Sequence, residues 1–439
     1  MAEAFSNRLR SGSPQHLRLR REAVTTDAAI KAIRRFALAW RSPVAIALAG
    51  AMWLLDIRDW IGRYRQTARI PQLGADLQYS WQAAKAFLDN GHPYASPYFN
   101  YPPSNLLLTW PLALFRLGSL LHPLLGVSII LLGASVMMSA AAVGRRWWGL
   151  CAAVGVWFLN GCLPSYQVLI LLNTSVVTAF ALALSFLLLS RGRWTAGAVV
   201  LGISFGIKPL LLPVLIVFLL ARKWRPFAIA LAIPVGLNLI ALAVVPHVGN
   251  VWSKPGYLLS GAGAAFSPLN AALNGVGDTH HWQRLFTIGL RVAVAALSAL
   301  VIWWAWYRLP TLALRVITAG SAALLGVFLS GPLAEDHYML MFVPLAMTIA
   351  AGGSAMLLPS AWVGMAWVMY IHPLPAHWLG STFPAANSAS EAIGMALVLV
   401  TMVLDLALRR RHASADLSES SIISTDADAP SSRPASGLL

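Results

Sequence analysis

The chain has 439 residues, of which 58% are hydrophobic and 11% charged, and its formal net charge is +16. Soluble domains carry about a quarter of their residues as charges, so a mean hydropathy of +0.67 with this few charges excludes an ordinary soluble enzyme. The positive charge does not describe a nucleic-acid-binding face either, because Lys and Arg fall between apolar runs and at the N-terminus.

Apolar runs of about 18 residues or more, separated by short Arg-rich turns, point to helices that satisfy their own backbone polar groups in a bilayer. The expected class is an all-α polytopic membrane protein with about 11–13 transmembrane helices. Residues 1–36 read as a basic cytoplasmic arm, since Met1 to Arg41 holds nine Lys or Arg against three acids. The first span, at 37–57, is followed by no small-residue cleavage site and is expected to be retained. After it, Tyr79, Trp81, Ala84, Phe87 and Leu88 recur at helical spacing, which predicts an amphipathic helix on the surface.

The stretch Ser104 to Leu121 is interrupted by Pro111 and charged by Arg116, so it reads either as a short span or as a re-entrant segment. Further spans are expected at 124–143, 147–162, 168–190, 195–221 as a broken pair, 226–246, 285–306, 316–333, 338–372 as a pair, and 390–408. Residues 37–410 form one transmembrane domain in this reading. Residues 411–439, rich in Ser, Ala, Asp and Pro, read as a disordered cytoplasmic tail. Cys151 and Cys162 lie within or beside apolar segments and read as packing residues, with no disulfide or zinc pattern.

If Ser104 to Leu121 does not fully cross, one orientation gathers Arg145, Arg146, Arg191, Arg193, Arg222, Lys223, Arg225, Arg308, Arg315 and Arg409 to Arg411 on the side of the N-terminus. The positive-inside rule makes that side cytoplasmic. The loop Arg58 to Pro103, the Lys208-Pro209 break, the loop His247 to Gln283, the turn Glu335-Asp336-His337-Tyr338 and the loop His372 to Glu391 then face outward. Arg58, Arg63, Arg65 and Arg69 run against the rule, and fit either an interfacial helix on lipid phosphates or a different orientation of the first span.

Several groups on that outer side carry chemistry. Asp76, at the start of the amphipathic helix, reads as an N-cap or as a catalytic carboxylate. Lys208 lies in an apolar run beside a proline, where an ammonium either holds a lipid phosphate or snorkels to the interface. Glu335, Asp336 and His337 join two spans; they can bind a leaving phosphate or simply form a solvated turn, and they are not a metal motif. Lys254, Arg284, His280 and His281 add basic groups to the long outer loop.

The order of these motifs is that of a known family. Asp76 after the first span, Gly91-His92-Pro93-Tyr94 with Tyr101-Pro102-Pro103, Gly202-x-x-x-Gly206-x-Lys208-Pro209 and a late His337 turn resemble the polyprenyl-phosphate-sugar-dependent glycosyltransferases of family 87, which have the membrane-embedded GT-C fold. The resemblance runs from about Trp53 to Arg410. Lys208-Pro209-Leu210-Leu211, Pro234-Val235-Gly236-Leu237-Asn238, the segment Tyr257 to Gly277 and Tyr338-Met339-Leu340-Met341-Phe342 are most similar to the mycobacterial and corynebacterial α-(1→3)-arabinofuranosyltransferases that branch cell-wall arabinan.

This resemblance implies decaprenyl-phosphoryl-arabinofuranose as donor, a cell-envelope glycan or glycolipid as acceptor, and membrane lipid as surroundings; no cofactor is expected, and the residues themselves show no metal motif and no nucleic-acid face. It implies Asp76 as the catalytic base. Lys208 and His337, with Lys254 and Arg284, would hold the donor phosphate. Trp81, Tyr94, Tyr101, Asn270, Glu335, Asp336 and Tyr338 would meet sugar or acceptor. The polyprenyl-phosphate-mannose enzymes of the same family are the alternative, although their late turn carries paired histidines where this chain has His337-Tyr338. A transporter of lipid-linked sugars is the remoter one, and the sequence shows no inverted repeat of the kind such proteins use.

In a background without Cys151 and Cys162, a cysteine introduced near His280 should react with an impermeant thiol reagent from outside, and one near Arg193 should not. The reverse pattern would move the chemistry into the cytoplasm.

Overall fold

The computed structural model describes residues 74–95, 99–144, 163–245, 247–248, 251, 271–369 and 388–408. The expected spans at 37–57 and 147–162, the N-terminal arm and the tail lie outside these residues. Every described element is helical, and five helices are long and apolar enough to cross a membrane: Leu117–Val143, Trp224–Val244, Arg284–Arg308, Leu312–Ser330 and Ser388–Leu408. The chain is an all-α polytopic membrane protein.

The surface helix predicted after the first span is α1, Ala75–Leu88, whose face Leu77, Ser80, Ala83 and Ala84 is buried. It begins at Gly74, which is left-handed with φ 71° and donates its N–H to the Ile170 carbonyl at 2.7 Å. A Cβ at this position would lie 2.7 Å from Leu121 Cδ2, so the residue must be glycine for two reasons. The ambiguous stretch that follows is not a full span. It forms the seven-residue α2, Pro103–Thr109, and a 3-10 turn, Trp110–Leu114, and the chain then extends at Phe115 and Arg116 before α3, Leu117–Val143. At about 1.5 Å per residue, α2 is far too short to cross a bilayer.

The expected single span at 168–190 is divided. Helix α4, Leu163–Leu171, ends where Leu172 turns left-handed at φ 51°, and α5 starts afresh as Ser175–Ser190. The polar side chains of Asn173, Thr174 and Ser175 compete for backbone groups here, which period alone does not reveal. The broken pair at 195–221 is present as α6, Trp194–Ile207, a 3-10 segment Pro209–Leu215, and α7, Ile216–Leu220. Helix α8 is Trp224–Val244, α9 is Leu273–Thr279, α10 is Arg284–Arg308 and α11 is Leu312–Ser330.

The pair expected at 338–372 is irregular. A 3-10 segment Asp336–Phe342 leads into α12, Val343–Met347, and two short 3-10 turns precede α13, Pro359–Met369. The last helix, α14, is Ser388–Leu408.

Helix α11 is the centre of the bundle, 78% buried along its most apolar stretch, whereas α8 and α10 are 17% and 22% buried and present Val235, Leu239, Ile240, Leu285 and Val292 outward. Helix α8 lies close against α6 because Gly202 and Gly206 leave room for it: a Cβ at either would meet Ile233 or Leu237 at 2.9–3.0 Å. The short turns Arg191–Arg193 and Ala221–Lys223, and Arg308 and Arg315 beside the turn Leu309–Thr311, place basic residues at one end of the bundle. Gly74, Asn173, Lys208 and Ser330 stand at the other.

Proline at 209 has no N–H, and the break leaves the last carbonyls of α6 without helical partners. Helix α2 supplies them. Ser104 Oγ donates to the Gly206 carbonyl at 2.6 Å, and Asn105 Nδ2 donates to the Ile207 carbonyl at 3.1 Å. Asn238 of α8 in turn accepts the Ser104 N–H at 3.1 Å and donates to the Pro234 carbonyl at 2.7 Å. The Pro-Pro-Ser-Asn motif and the Pro-Val-Gly-Leu-Asn motif are thus two halves of one brace.

An unsatisfied buried carbonyl costs about 1–3 kcal/mol. Ser104→Ala should therefore lower the thermal midpoint of the purified protein measurably. Ser119→Ala, which removes only an exposed hydroxyl bonded to the Arg116 carbonyl, should change it little.

Candidate active site

Three breaks between helices and the first turn of α1 meet at one end of the bundle, and each delivers a polar side chain. Asp76 is the second residue of α1. It is not the cap of that helix, because Gly74 occupies the cap position and no side chain bonds there. Its carboxylate turns toward the α4–α5 break instead, where Asn173 Nδ2 donates to Asp76 Oδ2 at 2.5 Å. Asn173 Oδ1 accepts the Ser175 N–H at 2.8 Å.

Lys208 comes from the α6 break and is turned into the cluster. Its Nζ donates to Ser175 Oγ at 3.0 Å and approaches Asn173 Oδ1 at 3.5 Å. The same ammonium lies 4.4 Å from the Tyr338 ring centre and 5.9 Å from that of Tyr101, whose electron-rich faces favour a cation. His337 Nε2 is 3.5 Å from Lys208 Nζ and 3.1 Å from Glu335 Oε2, so one ring nitrogen faces both an ammonium and a carboxylate. The turn carrying these residues is tied to α9 by the Ala271 N–H, which bonds the Ala334 carbonyl at 2.7 Å.

Burial disfavours the Glu335 charge, but the neighbouring His337 and the Lys208 ammonium outweigh it and pull the carboxyl down from 4.5 to about 2. Burial, reinforced by the charge of Asp76, raises the Tyr101 phenol well above its usual value, so Tyr101 remains a protonated donor. Its oxygen is 3.4 Å from Thr174 Oγ1.

Of the residues singled out from sequence, the structure brings Asp76, Tyr101, Lys208, Glu335, His337 and Tyr338 together. Two others are placed as braces. Trp81 Nε1 donates to the Phe115 carbonyl at 3.0 Å and holds α1 to the turn before α3. Tyr94 is 2% exposed, packs on Phe99, and donates its hydroxyl to the Tyr101 carbonyl at 3.2 Å, which places Tyr101. Arg284 stands exposed at the first turn of α10 and shares no hydrogen bond with the cluster. Lys254, Asn270 and the Asp336 side chain lie outside the described residues.

Asn173 and Ser175 were not singled out from sequence. Their signal was the polar triplet Asn173-Thr174-Ser175 inside an otherwise apolar run. Among the described residues no three of His, Cys, Asp or Glu stand together as a metal-ligand set.

The sequence model described as Glycosyltransferase family 87 matches residues 99–332, more than half of the chain. The chain belongs to glycosyltransferase family 87. It is therefore a membrane glycosyltransferase. Two curated relatives, each named alpha-(1->3)-arabinofuranosyltransferase, come from Mycobacterium tuberculosis strains CDC 1551 / Oshkosh and ATCC 25618 / H37Rv. Each is 25% identical over 332 residues, covering 74% of this chain and 75% of the relative. No solved structure matches the chain. The family match takes in Tyr101, Asn173 and Lys208, while Asp76 and the Glu335–Tyr338 turn of this family 87 glycosyltransferase lie outside it and join the site through the fold.

The Glu335 carboxyl has a lower pKa folded than unfolded, so its charge stabilises the fold above about pH 4.5, and that contribution is lost as pH falls toward about 2. Glu335→Gln should lose less thermal stability than the parent across that window, as read by a pH series of unfolding midpoints.

Proposed function

We propose that this glycosyltransferase transfers D-arabinofuranose from decaprenyl-phosphoryl-arabinose to a cell-envelope glycan, the arabinan of arabinogalactan or lipoarabinomannan. The new bond is α-(1→3), formed by a single inverting displacement at the outer face of the plasma membrane. The observation that carries this reading is that one carboxylate, Asp76, and one ammonium, Lys208, occupy the two ends of a single amide, Asn173. The names of the two relatives support the choice of sugar and linkage. The basic turns at the opposite end of the bundle support an outward-facing site. Residues 37–410 are the catalytic membrane domain in this proposal, with 1–36 and 411–439 as cytoplasmic extensions.

The chemistry asks for little more than these groups. The acceptor hydroxyl oxygen attacks the anomeric carbon, its proton passes to Asp76, and the bond from that carbon to the phosphate oxygen breaks. The electron pair leaves with the phosphate monoester, which Lys208 receives, with His337 beside it. A phosphate monoester leaves as a stable anion, so no acid is needed to protonate it. One displacement on a β-linked donor gives an α-linked product with no nucleophilic carboxylate. Tyr101 and Tyr338 flank the ammonium and offer aromatic and hydroxyl surface to a sugar ring.

Membranes containing the enzyme, offered radiolabelled polyprenyl-phosphate arabinose and polyprenyl-phosphate mannose separately, should transfer label from the arabinose donor only. Label from mannose alone would replace the sugar and keep the mechanism. Asp76→Asn should fold and bind donor but lose about 10²- to 10⁴-fold in turnover, the usual worth of a general base. Lys208→Met should raise the donor KM first, because it keeps the apolar stem and removes the charge that meets the phosphate.

A further inference from the structure

We infer that Asn173 is a positioning residue for Asp76: its amide fixes which carboxylate oxygen faces the acceptor and keeps the base from pairing directly with Lys208. The inference rests on the proposed role of Asp76 as base. The orientation of the amide is determined by its neighbours. A backbone N–H can only donate, so the atom bonded to Ser175 N at 2.8 Å is the oxygen. The Lys208 ammonium also only donates, and it lies on the same oxygen at 3.5 Å. The remaining atom is the NH₂ group, and it points at Asp76 Oδ2, an acceptor. All three neighbours require the same assignment, so the amide cannot flip without losing each contact.

Two consequences follow for the reaction. Asn173 engages Oδ2 alone, which leaves Oδ1 of Asp76 for the acceptor hydroxyl. The amide also stands between a carboxylate and an ammonium that would otherwise close into an ion pair, occupying the base and the phosphate-binding group together. Leu172 is held left-handed at φ 51°, a conformation that disfavours a leucine, at the turn that projects Asn173. The Asn173 N–H bonds back to the Val168 carbonyl at 3.1 Å and fixes that turn.

The competing account is structural. Asn173 Oδ1 accepts a backbone N–H at the start of α5, which is what a helix cap does, and aspartate caps as well as asparagine. Asn173→Asp separates the two accounts. It keeps the oxygen that bonds Ser175 N–H but turns a second carboxylate oxygen toward Asp76 in place of a donor. Asn173→Ala removes both functions.

The experiment measures transfer and thermal midpoint for the parent, Asn173→Asp and Asn173→Ala with whichever labelled donor the parent uses. A parent that transfers neither sugar overturns the proposed function on which the inference rests. With an active parent, Asn173→Asp should still fold, because the cap oxygen is kept, and lose at least about tenfold in kcat, as misplaced catalytic groups commonly cost up to about 10²-fold. Turnover closer to the parent's than that overturns the inference and leaves a cap. If Asn173→Asp does not fold, Asn173→Ala decides: a kcat at least tenfold lower with donor KM within threefold supports positioning, and any smaller loss of kcat or a loss confined to KM overturns it.

Discussion

A bilayer offers no water to a broken helix, and the protein is organised around that constraint. Helix α6 must stop to present Lys208, and Pro209 ensures that it does, at the expense of carbonyls left without partners. The residues that satisfy them, Ser104 and Asn105, lie far earlier in the chain on a helix too short to span anything. Helix α2 therefore exists less as a wall of the bundle than as a cap for another helix. Its own entrance is held by Asn238, and the Gly202–Gly206 face brings α8 close enough to do so. Without this brace the ammonium would have no fixed address.

The same device recurs around the site. The α4–α5 break gives up regular hydrogen bonding at Leu172–Thr174 and gains a rigid amide, and the turn after α11 gives it up again to place Glu335 and His337. Regular helix alone would point only side chains at helical spacing toward the centre, in a medium where polar ones are unwelcome. Interrupted helix lets four chain segments meet end-on, so a carboxylate, an amide, an ammonium and an imidazole share a few ångströms while most of each segment stays apolar. Tyr94 and Trp81 show the supporting half of the arrangement, for both spend their polar atoms on backbone carbonyls that position neighbouring segments.

Much of this was legible in the sequence. The apolar runs fixed the class, Lys208-Pro209 announced its own break, and Asp76 and His337 stood out as polar residues at the same end of the bundle. What was not legible is instructive. Residues 168–190 read as one span because three small polar residues hardly lower the hydropathy of the run, yet they end one helix and start another. Asn173 carries no charge and so raised no alarm, although its amide connects the two charged groups that did. Aromatic residues near a sugar motif suggested contact with a ring, and for Tyr94 burial shows a different task. Aromatic side chains in a packed outer layer serve as struts as readily as platforms.

The outermost long helix has an unexpected share in this arrangement. Only a small share of helix α8 is buried, so its place in the bundle rests on its close packing along the Gly202–Gly206 face of α6. Yet Asn238 on α8 holds Ser104, Ser104 holds the end of α6, and the end of α6 holds Lys208. The packing of this one sparsely covered helix is thereby part of the machinery that keeps the ammonium in place. Extraction into a loosely packing detergent would act on the site from outside, by letting one lipid-facing helix lift, before any of the buried core around α11 had begun to open.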